Sequence, residues 1–219
     1  MDFAVSLIFS VSVVLLIVAL VFVDRRPARR TRPATPARHS TVPAAPYVAP
    51  YKIKARSSAE MKSLIETLPA VRVLDICDGD TLYVAKGGSK LKVRLDSIDC
   101  PEDGQQWGDI ATFGLIKLVG GKRTVHLEEH GIDDFGRTLA TLYVRHANGR
   151  DWLNVNERMV ALGHAWVMRA YYDHLPADRQ EQLNKLEGWA QSRAVGLWAN
   201  PNPMPPWQWR KEVWRPPAP

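Results

Sequence analysis

The 219-residue chain is poor in cysteine, with only Cys77 and Cys100. That count excludes a disulfide-dense scaffold and a zinc ribbon. Cys77 stands three residues before Asp80 and Cys100 directly after Asp99, so a bridge between them is geometrically conceivable. Glycine is missing before Gly79, so tight turns begin only there. Residues 3–23 contain no charge. The six histidines show no metal spacing such as HExxH and read as surface or packing residues. No internal repeat is present. Composition excludes collagen-like, coiled-coil and wholly disordered classes, and 46% apolar residues suffice for a core.

Charge is present but unevenly spread. The chain carries +6, with 29 Lys and Arg against 23 Asp and Glu. Residues 1–56 hold nine basic residues against Asp2 and Asp24, or +7, and the rest of the chain carries −1. The basic excess is therefore no footprint of a basic folded domain. A nucleic-acid reading of that domain has to rest on particular residues.

The uncharged run 3–23 would span roughly 31 Å as a helix, which matches a bilayer core. It is too long for a signal-peptide core, Asp2 precedes it, and VFVDRR follows it. A single-pass membrane anchor in the lipid bilayer is expected. Arg25, Arg26, Arg29, Arg30 and Arg32 all follow the span, so the positive-inside rule puts the remainder on the cytoplasmic side. Residues 24–57 contain six prolines and no glycine and read as an extended stalk.

Residues 58–200 read as the folded domain. Residues 58–68 suit a short helix with Met61, Leu64, Ile65 and Leu68 on one face. Strands are expected at Val71–Cys77, Thr81–Lys86, Lys90–Ile98, Arg123–Glu129 and Arg137–Arg145. Helices are expected at Asp109–Val119, Asn154–Gly163 and Pro176–Ala194. The pattern is α+β: a five-stranded Greek-key barrel resembling an oligonucleotide-binding (OB) fold, with about three helices. The tail 201–219 is rich in Pro and Trp. Proline forbids a regular helix there, and the tryptophans suggest an ordered strap over the domain.

The residues able to do chemistry sit at strand ends: Asp78, Asp80, Arg94, Asp99, Glu102 and Arg137. In a meander, the end of the third strand can approach the start of the second. Three carboxylates gathered there repel one another unless a cation neutralises them. Hard oxygen donors select Ca²⁺ or Mg²⁺, and arginine forks match phosphate. Taken singly, each part has an ordinary reading as a turn, a solvated loop or a strand residue.

The strings DGDTLYV (78–84), VRLDSIDCPE (93–102) and DDFGRTLATLYV (133–144), in that order and spacing, resemble the staphylococcal nuclease (thermonuclease) family. LNVNERMVALGHAWV and AVGLWANPNPMPPWQWR look like later parts of its bacterial members, so the likeness runs from about Val71 to Arg210. The resemblance implies Ca²⁺ held by Asp80, Asp99 and the Cys100 carbonyl, with Asp78 in the outer shell. It implies Glu102 as general base, and Arg94 and Arg137 as holders of the scissile phosphate. It also implies cleavage of DNA and RNA, with single strands preferred and 3′-phosphate ends left. Departures fall on substrate contacts. Asp134-Phe135 replace a Lys-Tyr pair, Arg169 occupies a stacking-tyrosine position, Tyr171 matches another tyrosine, and the loop after Glu102 is shortened to DGQQWG. These changes imply weaker phosphate affinity with the chemistry intact. The alternative is a non-catalytic OB-type module that binds nucleic acid or protein at the membrane. Retention of all five charged groups argues against it.

Overall fold

The computed structural model describes residues 58–120, 124–146 and 149–212. The expected anchor 3–23, the stalk 24–57 and the end of the tail from 213 lie outside them. Among the described residues, no helix is long and apolar enough to cross a membrane.

The chain enters through α1 (Ser58–Thr67), which buries Ile65. Strands β1 (Ala70–Ile76), β2 (Thr81–Lys86) and β3 (Ser89–Leu95) then form an antiparallel meander. The turn between β2 and β3 uses Gly87 and Gly88, both at positive φ. A two-residue strand β4 (Ile98–Asp99) and helix α2 (Gly108–Val119) follow. Strands β5 (Thr124–Ile132) and β6 (Thr138–Arg145) come next, then β7 (Trp152–Asn154) and α3 (Val155–Ala161). β8 (Trp166–Val167) pairs with β4. A 3₁₀ turn (Arg169–Tyr171), α4 (Ala177–Ser192), a second 3₁₀ turn (Gly196–Ala199) and α5 (Pro206–Glu212) complete the order.

Sheet order is β3-β2-β1-β5-β6, and β6 returns to β3 in parallel, with Arg94 opposite Leu139. This closes a five-stranded barrel and removes its free edges. The second half of β6 pairs with β7, so β6 is engaged along both sides. That is why six of its eight residues are buried. The barrel interior holds Val73, Leu82, Val84, Val93, Leu95, Leu127, Ala140 and Leu142. Asn156 on α3 pins helix to barrel. Its amide donates to the carbonyls of Asp96 and Ala140 at 3.0 Å, and its oxygen accepts from the Leu142 N–H at 3.2 Å. A buried amide is tolerated when its bonds are made in this way.

Three expectations change. The long strand Lys90–Ile98 breaks after Leu95, because Ser97 adopts φ 62° and turns the chain into β4. Five α-helices occur among the described residues: the short one expected at 58–68, the three expected in the domain, and α5 in the tail, where no regular helix is expected. α5 forms because Pro206 stands at its first position, where a missing N–H costs nothing. The tail nonetheless covers the domain: Pro206 is buried and the Trp207 ring meets Trp166 edge-on at 6.3 Å. Cys77 and Cys100 are both free thiols, the first exposed and the second buried.

Candidate active site

The β1–β2 turn and the β3–β4 segment meet because their backbones are tied. The Leu95 N–H donates to the Asp80 carbonyl at 2.7 Å, and the Cys100 N–H donates to Asp80 Oδ2 at 2.8 Å. Gly79 allows this approach: a Cβ there would sit 2.8 Å from the Cys100 Cβ. Asp80 is further held by the Thr81 hydroxyl, which donates to Oδ1, while the Asp80 N–H donates to Asp78 Oδ1.

Arg94 lies between two acids. Its Nη2 donates to Asp99 Oδ1 at 2.7 Å, and its Nη1 lies 2.5 Å from Asp80 Oδ2. This buried nitrogen is held as a tight ion pair with Asp80. Burial alone would depress the Arg94 guanidinium, but Asp80 and Asp99 outweigh it and push it above its ordinary value. Burial, then the adjacent Asp80 charge, pushes the Asp78 carboxyl up to about 6. Burial likewise raises Asp99, against the pull of Arg210 and Arg94. These carboxylates are crowded and costly to ionise together.

A cleft of about 640 Å³ opens over this cluster. Glu102 enters from the loop after β4, and Arg137 from the start of β6. Asp133 aims Arg137 by accepting from its Nε at 2.7 Å and from its N–H at 2.9 Å. Partial burial works against it, yet these bonds hold the Asp133 carboxyl below the usual range. Phe135 is 83% exposed at the rim, with its ring 5.3 Å from the Arg137 guanidinium, and the exposed Tyr171 also lines the cleft. Asp78, Asp80, Arg94, Asp99, Cys100, Glu102, Phe135, Arg137 and Tyr171 thus share one cleft. Arg169 does not join them. Its Nη2 is drawn 2.5 Å from the buried Glu187 on α4, so it is an ion-pair residue and not part of the lining.

The sequence reading missed two residues of the site. Asp133 is one. The other is Arg210 on α5, whose Nη2 donates to Asp99 Oδ2 at 2.9 Å and whose Nη1 binds Glu102 Oε1. The strap is held in place by Gln105, whose amide donates to the Met204 carbonyl at 2.7 Å. The paired Trp207 and Trp209 were the available signal, since such rings dock and carry their neighbour with them.

Seven carboxylates and four cationic side chains line the cleft. With that balance a polyanion is repelled unless further positive charge enters. The oxygen donors of Asp80 and Asp99 and the Cys100 carbonyl suit a hard divalent cation. Together with the guanidinium groups of Arg94 and Arg137, the donor set fits a site where a cation and a phosphate group meet.

Comparison with known proteins agrees with this geometry. A family model described as staphylococcal nuclease homologue matches residues 92–200. An uncharacterized endonuclease of Haemophilus influenzae is 41% identical over 142 residues, covering 64% of this chain and 72% of that protein. A micrococcal nuclease of Shigella flexneri is 37% identical over 164 residues, covering 71% and 91%. Protein ParB of Escherichia coli is 37% identical over 165 residues, covering 72% and 90%. The barrel, the cleft and these relatives agree, and the chain belongs to the staphylococcal nuclease family.

Proposed function

We propose that this thermonuclease-like nuclease, an enzyme acting on phosphodiester bonds, is Ca²⁺-dependent, cuts single-stranded DNA and RNA, and leaves 3′-phosphate ends. The observation that carries the reading is the meeting of Asp80, Asp99, Arg94, Glu102 and Arg137 in one cleft. Asp80, Asp99 and the Cys100 carbonyl would hold the cation, and Asp78 would orient its outer shell. When bound, Ca²⁺ supplies positive charge against the phosphate and offsets the carboxylate excess.

The chain's own groups then divide the work. Glu102 takes a proton from a water aimed at phosphorus. The new P–O bond forms as the bond to the 5′ oxygen breaks, and that oxygen leaves as a hydroxyl after taking a proton from solvent water. Arg94 and Arg137 donate to the non-bridging oxygens, where negative charge grows. Asp133 keeps Arg137 aimed, and Phe135 and Tyr171 offer rings for unpaired bases. Arg210 holds Glu102 and Asp99 until cation and substrate compete for them. Residues 3–23 anchor the enzyme in the bilayer with the domain on the cytoplasmic side. Labelling an engineered cysteine in the stalk with an impermeant reagent checks that side.

The test is incubation of the full chain with single-stranded DNA and RNA in Ca²⁺ or in chelator. Cleavage to 3′-phosphate products in Ca²⁺ alone is expected. A folded chain that binds these strands without cutting them favours the binding-module reading.

A further inference from the structure

Asp96, His130 and His174 come together beside the cleft, although they are far apart in sequence and show no ligand spacing. Each offers one ligand atom, and the three atoms lie within 4.8 Å of one another. Asp96 follows β3 and is 3% exposed. Its Oδ2 accepts from the Ser97 hydroxyl at 2.8 Å and lies 2.8 Å from His174 Nε2. The rings of His130 and His174 are 5.3 Å apart.

The backbone is irregular where it presents two of these groups. In the β5–β6 ladder, Glu129 faces Ala140 and Gly131 faces Leu139, so His130 is the extra residue of a bulge. A bulge re-aims a side chain that regular pairing would send elsewhere. The left-handed Ser97 turns the chain directly after Asp96. His130 Nε2 lies 2.9 Å from Thr141 Oγ1, which also accepts from Arg179 Nη2 at 2.9 Å. Such a bond fixes the ring and leaves its other nitrogen available.

Charge favours a cation here. With both imidazoles neutral, Asp96 and Glu128 against Arg179 leave one net negative charge. Burial, helped by Arg179 and His174 and opposed by Asp96 and Glu128, holds His130 below its ordinary value.

We propose that Asp96, His130 and His174 form a second metal site that takes a borderline transition ion of the Zn²⁺ class and not Ca²⁺. Two imidazoles and one carboxylate suit Zn²⁺, whereas the all-oxygen cleft suits Ca²⁺. In a tetrahedral site two ligands at about 2.1 Å from one ion stand about 3.4 Å apart, so the set must draw in by up to about 1.4 Å. His174 can supply that movement, because its side chain is 39% exposed on the loop before α4. The same exposure leaves a fourth position open to water. A bound ion would clamp the β3–β4 turn, two residues from Arg94, to β5 and to the α4 approach.

Calorimetric titration of the untagged full chain with Zn²⁺ tests the proposal, with Co²⁺ absorption reporting a four-coordinate nitrogen-containing site. The expected result is one Zn²⁺ per chain, not displaced by millimolar Ca²⁺. His174→Ala, a substitution at an exposed position, and His130→Ala should each weaken binding at least tenfold. Asp80→Asn should leave it unchanged, and His174→Ala should keep full Ca²⁺-dependent nuclease activity when Zn²⁺ is absent. Failure of the wild-type chain to bind Zn²⁺ overturns the site. So does binding that survives both histidine substitutions or is lost with Asp80→Asn.

Discussion

At the scale of single residues, function depends on how closely backbones approach around Glu102. Gly108 opens α2, and a Cβ there would lie 2.1 Å from the Glu102 carbonyl oxygen. Contact of that kind cannot be relieved by a rotamer change, because both partners are backbone. Gly108→Ala should therefore shift the loop that carries Glu102. Displacement of a catalytic group by about an ångström costs about a hundredfold in rate. The expected outcome is a kcat/KM lower by that order with the fold retained, read by cleavage kinetics beside circular dichroism. Wild-type kinetics would show that the loop has slack which the packing does not suggest. Residue-scale chemistry was legible where it lay in short strings. Asp78, Asp80, Asp99 and Glu102 fall within 25 residues of one another, and turn chemistry draws them together.

Elements carry what short strings cannot. The alternation of Val71–Cys77 reads directly as strand, because one face lines the barrel. Lys90–Ile98 reads as one long strand on the alternation of Leu91, Val93 and Leu95, yet it is two. The alternation lapses at Ser97, where the left-handed turn falls, and Ile98 lies out of phase. Arg210 was illegible for another reason: its partner Glu102 is 108 positions away, and only the docking of α5 brings them together. Asp96, His130 and His174 are likewise assembled by topology. The contribution of α5 can be measured. Arg210→Ala leaves the buried Asp99 with Arg94 as its remaining cation. Because Arg210 is partly exposed, the expected loss is about 1–2 kcal/mol of unfolding free energy, smaller than for a fully buried pair. Urea denaturation of the variant against the parent reads it. An unchanged midpoint would mean that solvent replaces Arg210 without cost.

The whole molecule combines a basic N-terminal stretch with a nearly neutral remainder, and this bears on both binding and stability. A domain without a broad positive field steers substrate weakly from a distance, so on the proposed reading recognition would fall to Arg94, Arg137 and a bound cation. Global stability should depend on His164. Its Nδ1 accepts from the Trp107 Nε1–H at 3.3 Å, and its Nε2 edge lies against Gly114. Some of the residue's surface remains exposed, but both ring nitrogens face protein, and burial lowers the imidazole to about 4. In the unfolded chain the ordinary value is about 6.5. The unfolded state thus binds the extra proton between these values, so the contribution is full above pH 6.5 and is lost as pH falls towards 4. The loss should be about 2 kcal/mol after allowance for partial exposure. Denaturation at pH 7 and pH 4.5 should show a smaller pH-dependent drop in His164→Gln than in the parent. Equal drops would assign the acid sensitivity elsewhere.

The central claim is that Glu102 activates the water that attacks phosphorus in the cleft formed by Asp80, Arg94, Asp99 and Arg137. Single-turnover cleavage of a labelled single-stranded oligonucleotide in Ca²⁺, measured for Glu102→Gln beside binding of the same strand, tests it most directly. The account predicts a chemical step slower by at least about a hundredfold with affinity nearly unchanged. A variant that cuts at the parental rate would contradict it.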